Sequence, residues 1–463
     1  MAGRNPHRPA RYRRLRLRPA VPGAGTGPHR RRTGPRRQER SLPPGTGRGE
    51  ADRASAAAAV KRIIPIAAAP AASSSAVPSG LPAPPPLSLY IHVPWCVRKC
   101  PYCDFNSHEA KGGVGAIPED DYVAALIADL ESALPQIWNR PVHSVFIGGG
   151  TPSLLSVAAI DTLLAALRAR LPLAPGAEIT LEANPGTVEA GKFAGFRDAG
   201  VTRVSLGIQS FDDAKLAALG RIHSGNEARR AIDLALAHFE RVNLDLMYAL
   251  PEQTLEEARH DLETAVAFGT GHLSAYHLTL EPNTAFHHSP PPLPDEDLAA
   301  DMQEMVEEAL VGAGFEHYET SAYARPGQRC AHNLNYWNFG DYLGIGAGAH
   351  GKLSSAFNIV RETRRRHPRE YLEAAQRGDF VQERREVSRT ELPFEFLMNA
   401  LRLSDGFAPA LFAERTGLPL AVIEAPLRAA QAEGLLHLAT DRIRPTAMGR
   451  RYLNTLLQRF LSD

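Results

Sequence analysis

Short runs of β-branched and apolar residues alternate with amphipathic stretches from about residue 87 onward. In the amphipathic stretches apolar residues recur every three or four positions, as in residues 119–134 and 254–268, and such spacing predicts helices. Thr254 and Glu257 open the second helix as a capping box. The predicted strands are LSLYIHV (87–93), HSVFIGG (143–149), EITLEAN (178–184), RVSLGIQ (203–209), RVNLDLMYAL (241–250) and HLSAYHLTL (272–280). Six strand–helix units in succession predict an α/β fold with a parallel sheet, an open partial (βα)6 barrel over residues 87–285.

The pattern changes after about residue 285. A helix is predicted over 295–313, and the polar, aromatic segment CAHNLNYWNFGDYLGIGAGAHG (330–351) follows it. We expect residues 286–390 to link the domains and complete the side of the barrel. Residues 391–463 predict an α-rich, winged-helix-like C-terminal domain, with helices near 394–403, 408–415, 419–433 and 446–461 and short strands near 435–439 and 442–446. Its mixed charges favour a structural cap over a DNA-binding module.

Residues 1–86 differ in composition from the rest of the chain. Residues 1–50 contain 14 Arg and only two acidic residues, Glu39 and Glu50, whereas the remainder holds 38 basic and 49 acidic residues. The mixture of Arg, Pro, Ala and Gly cannot bury enough apolar surface to fold, so residues 1–86 are predicted to be a disordered extension. Frequent proline argues against a helical transit peptide, and the acidic remainder argues against broad nucleic-acid binding.

No stretch approaches the roughly 18–20 apolar residues that cross a bilayer, and no secretory signal is evident. The 463 residues contain four cysteines, too few for a disulfide framework. The sequence therefore predicts a cytoplasmic protein in a reducing compartment.

Three of the four cysteines, Cys96, Cys100 and Cys103, lie in CVRKCPYC (96–103). A C-x3-C-x2-C loop can hold three corners of a [4Fe–4S] cluster. The fourth iron would then be open to the amino and carboxylate groups of S-adenosylmethionine (SAM). Two alternatives are a zinc site completed by His92 or His108, although zinc favours paired motifs that are missing here, and a reactive-thiol cluster without metal.

Other polar residues lie at the carboxyl ends of the predicted strands, where the active sites of such barrels are found. GGGTP (148–152) follows the second strand, and the later strands end near Glu182 with Asn184, Gln209 and Asp245. We expect these residues to share one rim with the cysteine loop.

The cysteine loop, with Pro94 and Trp95 before it and Asp104 and Phe105 after it, is followed by GGGTPS, LEANP, SLGIQSF, LGRIHS and DLMYALP. In this order the motifs resemble the radical SAM proteins of the oxygen-independent coproporphyrinogen-oxidase-like group, from about Tyr90 to the C-terminus. The resemblance implies a TIM-like radical SAM barrel, a [4Fe–4S] cluster on the three cysteines, and SAM. The oxidases of the group carry one more cysteine at the position of Phe105. The segment HNLNYW resembles the haem-chaperone branch, so the resemblance favours that branch and puts porphyrinogen decarboxylation in doubt.

The resemblance also implies roles for single residues. Gly149, Gly150 and Thr151 match the motif beside the SAM methionyl group, where glycine permits close backbone approach. Arg221 matches the partner of the SAM carboxylate. The remaining implied cofactor contacts are Glu182, Gln209 and Asp245 with the amino group or ribose, and Tyr90 and Tyr102 around the cluster and nucleotide.

Haem ligands are less well defined. His332 and Cys330 are the candidates, with His350 and Tyr336 also considered, because imidazole, thiolate and phenolate are axial ligands in proteins. Asn333, Tyr336 and Trp337 could instead hold this segment against the barrel.

Three functions fit the sequence. The first is a haem chaperone that binds haem, the cluster and SAM, and passes haem to an acceptor protein that can be membrane-associated. The second is an oxygen-independent coproporphyrinogen III dehydrogenase, and the third is a zinc-stabilised binding protein. For the first, the implied partners are haem, the acceptor, an electron donor for the cluster and a second copy of the chain, without specific nucleic acid.

Overall fold

The computed structural model describes residues 80–187 and 190–461. Most of the predicted disordered extension, residues 1–79, lies outside the described residues, and residues 80–86 lead into the first strand without forming a helix or strand. No helix of the described residues is long and apolar enough to span a bilayer.

The strands in chain order are β1 (Leu87–Val93), β2 (Trp95–Cys96), β3 (His108–Glu109), β4 (Val142–Gly149), β5 (Leu173–Ala183), β6 (Arg203–Gln209), β7 (Arg241–Tyr248), β8 (His272–His277), β9 (Glu316–Glu319), β10 (Ala322–Ala324), β11 (Asp341–Ile345), β12 (His350–Ser354), β13 (Ile359–Arg364), β14 (Val381–Glu386), β15 (Leu436–Leu438) and β16 (Ile443–Pro445).

The α-helices are α1 (Glu119–Ala133), α2 (Val157–Arg170), α3 (Ala190–Ala199), α4 (Asp213–Ala218), α5 (Gly225–His238), α6 (Leu255–Ala267), α7 (Ala285–His288), α8 (Glu296–Gly312), α9 (Ala331–Trp337), α10 (Pro368–Ala375), α11 (Leu392–Ala400), α12 (Pro409–Thr416), α13 (Glu424–Ala432), α14 (Ala447–Arg451) and α15 (Leu453–Gln458).

Six parallel strands, β1 and β4–β8, form the centre of a 12-stranded sheet in the order β14-β13-β12-β11-β1-β4-β5-β6-β7-β8-β10-β9. They correspond to the six predicted strands, which confirms the partial (βα)6 barrel. The predicted capping box of α6 is also present, since the Thr254 and Glu257 side chains each accept a backbone N–H.

One face of the central strands packs against the helices and the other lines the barrel interior. Leu89, Ile91 and Val145 are fully buried in the main apolar core, and burial of each such side chain contributes about 1.5–3 kcal/mol. Because side chains alternate along a strand, the residues between them face the interior. The core thus fixes the register in which polar side chains reach the interior.

The segment 286–390 contributes strands to both edges of the sheet. On one side β10 pairs antiparallel with β8, and β9 follows it. On the other side β11 pairs parallel with β1, and β12–β14 continue as antiparallel neighbours. These strands, which the sequence patterns did not separate, extend the sheet on each side of the barrel.

The C-terminal region from α11 to α15 is helical, with the short antiparallel pair β15–β16, which confirms the predicted α-rich, winged-helix-like character. It packs on the barrel through ion pairs and aromatic rings. Arg450 pairs with Glu307 at 3.0 Å, and the ring of Phe396 contacts that of Phe339 with centroids 5.7 Å apart.

Candidate cofactor site

The three clustered cysteines lie on β2 and in the loop after it, at the carboxyl end of the parallel strands. All are free thiols, and all line one cavity of about 400 Å³. Two of the three thiols lie near hydroxyl groups: Cys96 Sγ is 3.6 Å from the Thr151 hydroxyl and Cys103 Sγ is 3.7 Å from the Ser107 hydroxyl. Burial raises the pKa of the Cys96 and Cys103 thiols, so a bound cation is needed to stabilise their thiolates.

The surroundings of His92 bear on the zinc alternative. Its Nε2 donates to the Asn106 carbonyl at 3.0 Å, and its Nδ1 lies 2.9 Å from the Tyr90 hydroxyl. Burial lowers the pKa of His92 to about 4, so both nitrogens of a neutral ring are already engaged.

Zinc would need its donors around a single point. Across residues 80–187 and 190–461, no three His, Cys, Asp or Glu side chains converge closely enough to hold one metal ion. A cubane distributes its thiolates over separate irons. A cluster on Cys96, Cys100 and Cys103 therefore does not require the three sulfurs to meet at one metal ion.

The glycine motif packs against β2, the strand that carries Cys96. The amides of Gly150 and Thr151 donate to the carbonyls of Val93 and Trp95, each at 2.7 Å. A Cβ at Gly150 would lie 2.4 Å from the Trp95 oxygen. Packing against the β2 backbone therefore requires glycine at position 150. The family resemblance implies a second reason, which is close approach of the backbone to SAM.

Gly149 and Glu182 connect this motif to the next strand. Gly149 has a φ of +119°, and its amide donates to Glu182 Oε2 at 3.0 Å. Burial and, to a smaller extent, the nearby Asp245 together raise the pKa of Glu182 to about 8, although the Gly149 hydrogen bond acts in the opposite direction. Glu182 is thus an acceptor held in a region of low polarity.

Gln209 ends β6, Asp245 lies within the neighbouring β7, and both line the same cavity. Asp245 accepts from the Ser205 hydroxyl at 3.0 Å and from Asn243 Nδ2 at 2.9 Å, although burial still raises its pKa. Gln209 adopts a left-handed backbone with φ +67°. A non-glycine residue in that conformation is strained and is found preferentially at functional sites.

Arg221 bridges the cysteine loop and the strand ends. Its Nη1 lies 3.7 Å from Cys100 Sγ, and its Nη2 donates to the Gly207 carbonyl at 2.7 Å and to Asn184 Oδ1. Its Nε is buried without a hydrogen-bond partner among the described residues. A buried, incompletely satisfied guanidinium at a cavity wall is suited to a carboxylate ligand.

Most of the cofactor residues predicted from the sequence line this one cavity. They are Cys96, Cys100, Tyr102, Cys103, Gly149, Gly150, Thr151, Glu182, Gln209, Arg221 and Asp245. Tyr90 lies outside the cavity lining, with its ring 6.3 Å from that of Phe146 and its hydroxyl against His92. The assignment of the cavity-lining residues and of Tyr90 to the cluster and SAM stays a prediction.

The haem candidates lie at the opposite end of the barrel. His332 Nδ1 is 3.1 Å from the Ser144 hydroxyl, and Ser144 precedes Gly148 by four strand residues, or about 13 Å. Cys330 Sγ donates to Glu178 Oε1 at 3.5 Å, and burial raises its pKa to about 12. Cys330 lines the floor of the cavity, whereas His332 does not.

Helix α9, which carries His332, packs against the amino ends of the strands. The His332 ring lies 5.0 Å from Phe146 and 5.2 Å from Tyr336, and burial lowers its pKa to about 3. Tyr336 in turn stacks on Tyr342 at 4.1 Å, and Arg402 lies over the Trp337 ring at 4.4 Å. These contacts fit the packing role that the sequence left open, and haem ligation by His332 or Cys330 stays a prediction.

Polar residues in the barrel interior were missed by the sequence analysis. His272 donates from Nδ1 to Asn243 Oδ1 at 2.6 Å and accepts at Nε2 from the Tyr318 hydroxyl at 2.8 Å. Closed barrels fill this space with branched aliphatic residues, so a polar interior marks a ligand chamber. The signal was present as polar residues at alternate positions of three strands: Arg203 and Ser205, Asn243 and Asp245, and His272 and Ser274.

Two family models match the chain. The radical SAM superfamily model covers residues 90–265, and the HemN C-terminal domain model covers residues 387–452. The first contains the cysteine loop, the glycine motif and the strand ends described above.

Two curated relatives named HemW match over nearly their whole length. The heme chaperone HemW of Escherichia coli is 52% identical over 381 residues, which cover 82% of this chain and 99% of the relative. HemW of Bacillus subtilis is 32% identical, with 81% and 99% of the two chains covered.

Among solved structures, coproporphyrinogen III oxidase HemN from Escherichia coli superposes with a TM-score of 0.69 over 81% of this chain and 90% of the other. At 22% identity this likeness shows the fold alone. The chain belongs to the HemW family of the radical SAM superfamily.

Proposed function

We propose that this protein is a haem chaperone that carries a [4Fe–4S] cluster and SAM at the rim of its barrel and passes haem to an acceptor protein. The observation that carries the proposal is the 52% identity to a relative named heme chaperone HemW, over 99% of that relative. The match spans 381 residues, which is 82% of this chain.

The cysteine loop fits the cluster. Cys96, Cys100 and Cys103 would hold three irons, because they are free, line one cavity and present separate thiols. When bound, the cluster would supply an open iron for the amino and carboxylate groups of SAM.

The rim residues fit SAM. The unpartnered Nε of Arg221 is available to a carboxylate, and Glu182 would accept from the amino group. Gln209 at the end of β6 and Asp245 within the adjacent β7 would accept from ribose hydroxyls. These residues bind and orient the cofactor, and the barrel wall excludes bulk water from it.

Phe105 supports the chaperone over the dehydrogenase. It occupies the position of the additional cysteine of the oxidases, and it is 60% exposed beside Cys103. The likeness to HemN reflects the shared fold and adds nothing in favour of porphyrinogen turnover.

The partners are part of the proposal. A haem acceptor that can be membrane-associated, an electron donor for the cluster and a second copy of the chain follow from the family resemblance. A haem chaperone takes up haem and later passes it to the acceptor protein. Its affinity for haem must therefore be high enough to keep haem bound during transfer and low enough to release it to the acceptor.

Anaerobic reconstitution with iron and sulfide, followed by titration with haem, tests the proposal. We expect acid-labile sulfide for one cluster, a Soret band that saturates at one haem per chain, and haem transfer to apomyoglobin as a probe acceptor. Incubation with coproporphyrinogen III, SAM and a reductant should give no decarboxylation. Steady oxidative decarboxylation, or absence of haem binding by the cluster-loaded protein, would contradict it.

A further inference from the structure

Exposed apolar side chains line the cavity or directly adjoin residues that line it. Phe105 and Tyr276 line the cavity and are 60% and 41% exposed. Val97, 40% exposed, lies between the cavity-lining residues Cys96 and Arg98, and Ile222, 49% exposed, directly follows Arg221. Single exposed apolar residues are ordinary, but a group gathered at one opening marks a binding surface. We call Val97, Phe105, Ile222 and Tyr276 the mouth platform.

The elements that carry the platform are packed on one another. The amide of Phe286 in α7 donates to the Pro101 carbonyl at 3.0 Å, and a Cβ at Gly220 would lie 2.7 Å from Pro101 Cδ. The cysteine loop therefore anchors both the segment before Ile222 and the segment that follows β8. The platform is held in place by the same contacts that shape the cofactor site.

Cationic groups lie beside the platform. Arg98 is exposed, lines the cavity and forms no ion pair with another described residue. Lys99 Nζ donates to the carbonyls of Phe105 and Ser107 at 3.0 and 3.3 Å. These bonds hold the ammonium group of Lys99 next to the backbone of Phe105. The acidic residues of the same loop are Asp104, which is exposed, and Glu109, which accepts from the Lys99 amide at 3.1 Å. An apolar surface edged by Arg and Lys is complementary to a planar apolar ligand with carboxylates at its edge.

The volume of the cavity limits what can enter it. About 400 Å³ is near the lower end of ligand pockets, which span roughly 300–1,000 Å³. The residues proposed to hold the cluster and SAM line this same cavity. A macrocycle as broad as haem would have to lie across the opening.

The alternative position at His332 is enclosed. Its Nε2 is buried without a hydrogen-bond partner among the described residues, and the ring is surrounded by Phe146, Tyr90 and Tyr336. Haem iron could reach that nitrogen only if α9 left the barrel. The mouth platform is reached without such a movement.

We propose that haem binds across the mouth platform, with its apolar face on Phe105, Ile222 and Tyr276 and its propionates toward Arg98, and that it thereby covers the SAM site. The proposal rests on the proposed function and assigns haem a position within it. Haem and SAM then share one opening, so bound haem must slow the release of SAM.

The first experiment titrates the cluster-loaded full-length chain with haemin. The double variant Phe105→Ser with Ile222→Ser should weaken haem binding about tenfold or more, because two apolar contacts are lost. The matched control is Trp138→Ser with Phe357→Ser, which removes side chains that are 80% and 87% exposed elsewhere. The control should bind haem with wild-type affinity.

A second titration separates the apolar and charged contacts. Arg98→Ala should weaken binding of haemin severalfold and leave binding of haemin dimethyl ester, which lacks the carboxylates, unchanged. Equal effects on both probes would contradict the propionate contact.

The third measurement uses the wild-type protein alone and so does not depend on how any variant folds. Release of radiolabelled SAM from the cluster-loaded chain should be slowed severalfold by saturating haemin. An unchanged release rate overturns the proposal, as does loss of haem binding in His332→Ala with unchanged binding in the Phe105 and Ile222 variant. Those results leave the chaperone function intact, whereas a wild-type chain that binds no haem refutes the chaperone function itself.

Discussion

At the scale of single residues, the site depends on three thiols that each have a different neighbour. Thr151, Arg221 and Ser107 contact Cys96, Cys100 and Cys103 at 3.6–3.7 Å. The spacing of the cysteines could be recognised in the sequence because all the ligands are local. The Arg221 contact could not be derived from the residues alone, because 121 positions separate it from Cys100.

Cys100→Ala should abolish cluster assembly, since two thiolates are too few to hold a cubane. Iron and acid-labile sulfide are measured after anaerobic reconstitution. Cys330→Ala is the matched control, because this cysteine lies at the other end of the barrel, and it should retain both. Wild-type iron and sulfide in Cys100→Ala would contradict the three-cysteine assignment.

Phe105→Cys restores the additional cysteine of the oxidases. It should not create coproporphyrinogen turnover, because catalysis also requires the substrate to be held in a reactive geometry. Product is measured after incubation with SAM and a reductant, and turnover in this variant would show that one residue separates the two functions.

The buried carboxyl of Glu182 should make the stability of the cofactor-free protein depend on pH. Its folded pKa of about 8 lies above the unfolded value. Between about pH 4.5 and 8 the folded state therefore holds a proton that the unfolded state has lost, so the free energy of unfolding falls as pH rises.

Glu182→Gln removes this effect and should be more stabilising at pH 8 than at pH 5, by a few kcal/mol. Glu227→Gln is the control, because hydrogen bonds from Ser224 lower the pKa of Glu227, and its effect should be equal at the two pH values. Denaturant unfolding at both values measures the difference, and parallel pH profiles for wild type and Glu182→Gln would refute the buried-acid description.

At the scale of elements, the parallel strands could be predicted because each carries a continuous β-branched and apolar signal. The outer strands β13 and β14 could not, because their partly exposed, charged residues, as in VQERRE of β14, carry little periodic signal. The HNLNYW motif could be recognised in the sequence, but that it forms helix α9 and closes the barrel floor depends on distant contacts. One of these is the bond from Asn335 to the Ser88 hydroxyl at 2.9 Å.

Gly150→Ala tests the junction between the glycine motif and β2. The added methyl would lie 2.4 Å from the Trp95 oxygen, a backbone atom that cannot turn aside. We expect destabilisation of about 1–3 kcal/mol and reduced cluster loading, measured by thermal unfolding and iron content.

Gly312→Ala is the matched control, because a methyl at the end of α8 meets no atom within 4 Å. It should be neutral or slightly stabilising, since alanine favours the helix. Equal stability of the two variants would mean that the junction accommodates a larger side chain at position 150 than the contacts indicate.

At the scale of the whole molecule, a single sheet joins the cofactor rim, the polar interior and the α9 floor. The cavity extends from the cysteine loop to Cys330 and Asn333, so ligands at one end meet a chamber closed by α9 at the other. The C-terminal helices attach to the barrel through Arg450 and Glu307, in keeping with a cap. The family could be inferred from the order of the sequence motifs. The proposed position of haem could not, because it depends on which side chains are exposed near the cavity in the folded chain.

The most direct measurement is a combined analysis of anaerobically reconstituted wild-type protein for sulfide, SAM and haem. The account predicts one [4Fe–4S] cluster per chain, a change in the electronic spectrum of the reduced cluster when SAM is added, and one haem that can be transferred to an apoprotein. Protein that takes up zinc in place of iron and sulfide, or that holds the cluster but binds neither SAM nor haem, would contradict it.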